Sequence, residues 1–366
     1  MATFVQDTDV RSGPDRVIST PGVARQVERY LEDYHRPVII TGVKSCDAFL
    51  DYTGAEGLFA PALRYDGTSS ERDARELARR AGDLDADVIV AIGAGKLSDT
   101  AKNVAEFLDL DLVIVPTLAC ACAAYSPFSV NYDDQHRYLG VPIHPRNSQV
   151  LLIDSALIAR AGADKLVGGI GDTLAKWYES APVFEQADDV TVFDRLSHEA
   201  ARLVRDTLLA ESVPALQAVR AGDSDNGHVR TLIDTIIGLA GTVGGFGGVR
   251  ARESGAHSVH DGLTRVPGSA ATMHGEKVAY GVLVQLLTEG KDDEVRALLP
   301  FFDAVGLPHS MAQMGLECSE ENLDTVAEYA AGPDSPFHAA VPGVTPAMIR
   351  DAMRAAEALT VPETAA

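Results

Sequence analysis

The chain has 366 residues, 46% of them hydrophobic, and a mean hydropathy near zero. That suits two packed domains and is too apolar for a disordered chain. With 53 acidic against 31 basic residues the formal net charge is −22, which repels phosphate backbones and anionic lipid and argues against nucleic-acid and membrane partners. Cys46, Cys120, Cys122 and Cys318 are too few for a disulfide framework, and no second pair completes a zinc set with Cys120-x-Cys122. The polar N-terminal stretch 1–16 has no apolar core of a leader peptide, and no apolar run approaches the roughly 18 residues of a membrane span, so a cytoplasmic location is expected.

In chain order, residues 38–41 predict a strand, 69–81 a helix, 88–92 a second strand, 99–108 a helix, 112–115 a third strand and 150–153 a last one. Continuous rather than alternating apolar strands, separated by helices, predict a parallel sheet covered on both faces. From about residue 155 the periodicity is helical, with segments 190–210, 229–239, 277–287 and 348–359 and no strand signal. The expected organisation is a Rossmann-like α/β domain over 1–156 and an all-α domain over 157–366, with a cleft between them. The Pro- and Gly-rich stretch 331–343 reads as a surface loop or subunit contact.

Residues 92–102, Ile-Gly-Ala-Gly-Lys-Leu-Ser-Asp-Thr-Ala-Lys, follow a strand and open a helix. Backbone N–H groups and the helix dipole at such a point attract a pyrophosphate. The loop is neither G-x-G-x-x-G, since Ser98 takes the third glycine position, nor a Walker A motif, since Leu97 follows Lys96. Its plain alternative is a ligand-free turn capped by Ser98.

Asp172, in Gly168-Gly-Ile-Gly-Asp172, is joined downstream by His257 and His274, 85 and 17 residues apart. One carboxylate and two imidazoles form a sound ligand set for Zn²⁺ or Fe²⁺, leaving positions for water or substrate. The plain alternative is structural histidines. His260 follows His257 by three residues, so on a helix the two share a face.

Together these segments resemble, in order and over nearly the whole chain, the glycerol dehydrogenase-like branch of the iron-containing alcohol dehydrogenase superfamily. The carrying motifs are Gly93-Ala-Gly-Lys-x-x-Asp-Thr-Ala-Lys102, Pro116-Thr-Leu, Gly169-Ile-Gly-Asp172 and His274-Gly-Glu-Lys-Val-Ala-Tyr-Gly281. The resemblance implies a dehydroquinate synthase-like fold, a dinucleotide domain followed by a helical metal domain. It also implies metal ligation by Asp172, His257 and His274. Lys176 stands where other iron-type members have a further His, which favours zinc. By the same resemblance the dinucleotide contacts are Gly42, Gly93, Gly95, Lys96 and Asp99, with Thr117, Cys120, Ser126, Phe128 and Tyr132 toward the nicotinamide.

Three departures carry information. Cys122 replaces the Asp with which glycerol dehydrogenases hold a polyol. That change, with the run 169–179 and the stretch around His257, is similar to bacterial hydroxycarboxylate dehydrogenases and points to a 2-oxo acid/2-hydroxy acid pair. Arg250 and Arg252 are candidates for its carboxylate by position. Gly42 and Lys44 stand where NAD-specific relatives place an Asp on the ribose, so NADP(H) is expected to be accepted beside NAD(H). Ala94 replaces a glycine, tolerable while its φ stays negative. In the implied chemistry the metal acts as Lewis acid and hydride passes between substrate and nicotinamide, with His260 a proton relay or a support for the ligands. The alternatives are a glycerol or polyol dehydrogenase, a sugar-phosphate cyclase and a non-catalytic binding protein. A small-molecule substrate and a homo-oligomer are expected.

Overall fold

The computed structural model describes residues 10–133 and 137–359; the first nine residues of the N-terminal stretch read above lie outside them. The N-terminal part contains β1 (Arg16–Ser19), β2 (Pro37–Thr41), α1 (Val43–Thr53), β3 (Ala62–Arg64), α2 (Glu71–Asp83), β4 (Val88–Gly93), α3 (Gly95–Leu108) and β5 (Asp111–Pro116). A two-stranded hairpin, β6 (Asn131–Tyr132) and β7 (Tyr138–Gly140), precedes β8 (Val150–Ile153). Six strands form one parallel sheet in the order β1-β8-β5-β4-β2-β3. Residues Val88 to Ile92 of β4 are fully buried, as expected of a strand covered on both faces.

Helices follow: α4 (Ser155–Ala159), α5 (Ala163–Gln186), α6 (Val192–Arg220), α7 (Gly227–Asp234), α8 (Ala240–Gly247), α9 (Gly255–Leu263), α10 (His274–Thr288), α11 (Asp292–Val305), α12 (Glu320–Ala330), α13 (Phe337–Ala340) and α14 (Pro346–Glu357). Among the described residues no strand follows Ile153. One hydrophobic cluster runs from Ile40 and Ile89 of the sheet through α5 and α6 to α10 and α11. A second fills the other sheet face around Ile39, Phe49 and Val90.

Several boundaries differ from expectation for identifiable reasons. Helix α3 starts at Gly95, not Asp99, because Ala94 is its N-cap, with φ −94° and ψ −168°. Ser98 therefore lies inside the first turn, where its hydroxyl bonds Ala94 O at 3.2 Å and caps nothing. The negative φ at Ala94 is what lets a methyl group replace glycine there. Ser70 caps α2, so that helix starts two residues later than expected. Helix α5 went unread because its glycines weaken helix propensity, which burial overrides. The run Gly227–Ala251 has the length and apolarity of a membrane span, but 61% of its most apolar window is buried, as in a core helix.

Candidate active site

Three helices converge on one point because glycines let their backbones touch. A Cβ on Gly275 of α10 would lie 1.7 Å from Gly168 O on α5. One on Gly281 would lie 2.3 Å from Ala256 O on α9. With no side chains between them, α5 and α9 present Asp172 and His257 to His274, the first residue of α10. His274 Nε2 is 3.0 Å and His257 Nε2 3.4 Å from Asp172 Oδ1. All three candidate ligand atoms lie within 4.8 Å of one another.

The far side of each imidazole is held. Glu179 Oε2 lies 2.7 Å from His257 Nδ1. Its Oε1 accepts the N–H groups of Ser254 (2.7 Å) and His257 (2.9 Å), so the same carboxylate caps the start of α9. His274 Nδ1 is 2.9 Å from His260 Nε2, whose Nδ1 is 2.8 Å from Asp261 Oδ1. Carboxylates only accept, so Glu179 fixes the His257 proton on Nδ1, and Asp261 fixes the His260 proton on Nδ1. His260 Nε2 must then accept from His274 Nδ1–H. With both imidazoles neutral, the two Nε2 lone pairs face Asp172 Oδ1, three acceptors with no donor among them. Such a cluster requires a cation, and its N₂O composition fits a divalent metal.

In the metal-free protein a proton takes the place of that cation. Burial would raise the Asp172 pKa, but hydrogen bonds from His257 and His274 and the Lys176 charge hold it well below the ordinary range. Burial lowers the His257 pKa, yet Glu179 and Asp172 drive it well above its ordinary value in the metal-free protein. Burial, with the charges of His274 and His257, pushes His260 well below, keeping it neutral as the tautomer chain requires.

The glycine loop adjoins this cluster. Thr117 N–H donates to Gly93 O at 3.0 Å, and Gly95 N–H bonds the Cys120 thiol. Burial and the nearby Asp172 charge raise the Cys120 pKa, so Cys120 lies between the loop and the metal ligands. Lys96 Nζ is 4.9 Å from the Tyr132 ring. Gly42 caps α1 just after Thr41, whose hydroxyl donates to Ile92 O at 2.8 Å, and Lys44 is exposed in the next turn. Ser126 is buried, its hydroxyl bonding Cys122 O (3.1 Å) and Cys122 Sγ (3.4 Å).

Asp99 is placed differently from the expectation. Its side chain is 7% exposed and turned inward to Lys102 and Val130 N–H. Of the two arginine candidates, Arg250 lies against Asp189 and Asp194 at the start of α6. Arg252 lies over the Phe128 ring at 4.7 Å, while its carbonyl accepts from Lys176 Nζ at 2.8 Å. Burial lowers the Lys176 pKa, but Cys122, Asp172, Glu179 and Glu253 more than offset it. The roles of Glu179 and Lys102 emerge only from the structure. For Glu179 a signal exists in the sequence: seven residues after Asp172, it falls on the same face of a helix.

Comparison with known proteins agrees with this arrangement. Residues 14–155 match the family profile "Iron-containing alcohol dehydrogenase". Hydroxycarboxylate dehydrogenase A of Escherichia coli (strain K12) is 34% identical over 354 residues, 94% of this chain and 96% of that protein. Glycerol dehydrogenase of Pseudomonas putida is 32% identical over 94% of this chain and 98% of its own length. The crystal structure of glycerol dehydrogenase from Schizosaccharomyces pombe superposes with a TM-score of 0.85 at 26% identity, covering 96% of this chain and 91% of that one. The chain belongs to the iron-containing alcohol dehydrogenase family. It is an NAD(P)-dependent dehydrogenase acting on a CH–OH group.

Proposed function

We propose that the protein interconverts a small 2-oxo acid and its 2-hydroxy acid, using zinc and preferring NADP(H). The carrying observation is the convergence of Asp172 Oδ1, His257 Nε2 and His274 Nε2 beside the glycine loop. When bound, the metal would polarise the substrate C–O bond and the dinucleotide would exchange hydride with its carbon. The chain's own residues do the rest. Glu179 and His260 fix the tautomers and ring orientations of His257 and His274. Gly93, Gly95 and the first turn of α3 offer N–H groups to a pyrophosphate. Three protein donors with an open position suit zinc.

The substrate class rests on charge. Cys122 puts a thiol in place of a carboxylate, Lys176 carries positive charge close by, and Arg252 lies over Phe128 in the same region. The E. coli relative named for hydroxycarboxylates fits this reading. The cofactor preference rests on Gly42 and Lys44, joined by Arg64, whose Nη1 donates to Gly42 O at 2.5 Å. A polyol is the second reading: Glu253 and Asp261, whose pKa values burial raises, are acceptors for hydroxyls near His257, and the P. putida relative is named for glycerol.

Arg252→Met tests the substrate assignment. Loss of a charged hydrogen bond of about 1.5–3 kcal/mol should raise KM for 2-oxo acids roughly 10- to 100-fold and leave the cofactor KM unchanged. An unchanged 2-oxo acid KM would remove the argument for an anionic substrate.

A further inference from the structure

Helix α3 carries a buried polar stripe. Asp99, Lys102 and Asn103 are 5%, 4% and 4% exposed, and their i, i+3, i+4 spacing sets them on one face. All three reach the stretch 117–131 that leads from β5 into β6. Lys102 Nζ donates to Ala123 O at 2.9 Å, to Ser126 O at 3.2 Å and to Phe128 O, and pairs with Asp99 Oδ1 at 2.8 Å. Asp99 Oδ2 accepts from Val130 N–H at 3.1 Å, and its backbone oxygen from the Ser129 hydroxyl at 2.9 Å. Asn103 Nδ2 donates to Asn131 Oδ1 at 2.9 Å.

A buried ammonium is tolerated only when its charge and its three protons are satisfied. Here three carbonyls from one irregular segment and one carboxylate do so. That segment has little regular structure to hold its shape, being a run of turns up to the two-residue β6. It also carries Cys120, Cys122, Ser126 and Phe128, and Tyr132 follows it in β6. We infer that Lys102 is a positioning residue whose ammonium gathers the Ala123, Ser126 and Phe128 carbonyls and so shapes the loop that receives the nicotinamide end of the cofactor. The N-terminus of the same helix faces the diphosphate, so α3 sets the distance between the two halves of the dinucleotide site. This inference rests on the dinucleotide reading of the glycine loop.

The test separates the halves. ADP, which lacks the nicotinamide, is titrated calorimetrically into wild type and Lys102→Met, and kcat and cofactor KM are measured on both. The expected result is ADP affinity within twofold of wild type, with kcat lowered at least tenfold, the reduced-cofactor KM raised, and partial rescue of Lys102→Ala by added propylammonium. Unchanged kcat and KM would overturn the inference, as would parallel loss of ADP binding in a folded variant, which marks general disruption. Should Lys102→Met fail to fold, Asn103→Ala reads the same split: a selective kinetic loss supports the inference, and unchanged kinetics overturn it. Absence of ADP binding by the wild type would instead overturn the dinucleotide reading itself, and this inference with it.

Discussion

Gly275 and Gly168 pack backbone against backbone, so closely that a methyl group on Gly275 would sit 1.7 Å from the Gly168 carbonyl oxygen. This contact locks α10 onto α5 four residues before Asp172 and one residue after His274. It is the physical reason a carboxylate and an imidazole 102 residues apart meet at 3.0 Å.

Gly275→Ala should therefore damage both fold and site. Overpacking typically costs about 1–3 kcal/mol, and a backbone contact with no flexible side chain to yield belongs at or above the upper end. Denaturant unfolding should show a loss of at least about 3 kcal/mol, with weakened metal uptake. A variant that unfolds and binds metal like wild type would contradict the helix crossing.

Glu179→Gln should keep the fold and weaken the metal. The amide can still hold a hydrogen bond at His257 Nδ1 but lacks the charge that makes the imidazole a better donor. Loss of such an outer partner typically lowers metal affinity about 10- to 100-fold. Competition with a chelator of known affinity measures it, and an unchanged constant would show that Glu179 serves only as the cap of α9.

Those two residues mark what the sequence could and could not disclose. The strands at 38–41, 88–92, 112–115 and 150–153 were legible because buried parallel strands are continuous apolar runs. Strands β1 and β3 were not: each is an edge of the sheet, three or four residues long and half exposed. The types and order of Asp172, His257 and His274 were legible through their motifs, but not their meeting, which depends on glycine contacts between distant helices. Lys102 ends the motif that begins at Gly93, yet nothing local tells a buried lysine on a helix from a solvated one.

His144 should give the protein an acid-sensitive component of stability. It is buried, with Nε2 2.7 Å from Ser129 Oγ and Nδ1 against Glu106. Burial and the Lys102 charge lower its pKa below the ordinary 6.5, outweighing Glu106 and Asp99. The unfolded chain then takes up the proton more readily than the folded one. The stabilisation is present above pH 6.5 and is lost as pH falls from there toward the folded-state value. This group should add a slope of up to about 1.4 kcal/mol per pH unit in that window. Unfolding of His144→Asn across the same range should show a flatter profile, and an identical slope would contradict the assignment.

Gly42→Asp should reverse the cofactor preference. The φ of −94° at Gly42 admits a side chain, and a Cβ there meets the Tyr65 ring at 3.0 Å and Ser45 Oγ at 3.3 Å, both side-chain atoms that can shift. A carboxylate at the start of α1 would repel a 2′-phosphate and accept ribose hydroxyls. The ratio of kcat/KM for NADPH to that for NADH should fall by at least about tenfold. An unchanged ratio would place the adenosine ribose elsewhere.

The most direct test of the central claim is the oxidation of NADPH and NADH followed with a panel of 2-oxo acids, simple aldehydes and dihydroxyacetone, with and without a chelator. The account predicts turnover of 2-oxo acids, faster with NADPH, abolished by chelation and restored by Zn²⁺. Turnover of dihydroxyacetone alone, or activity untouched by chelation, would contradict it.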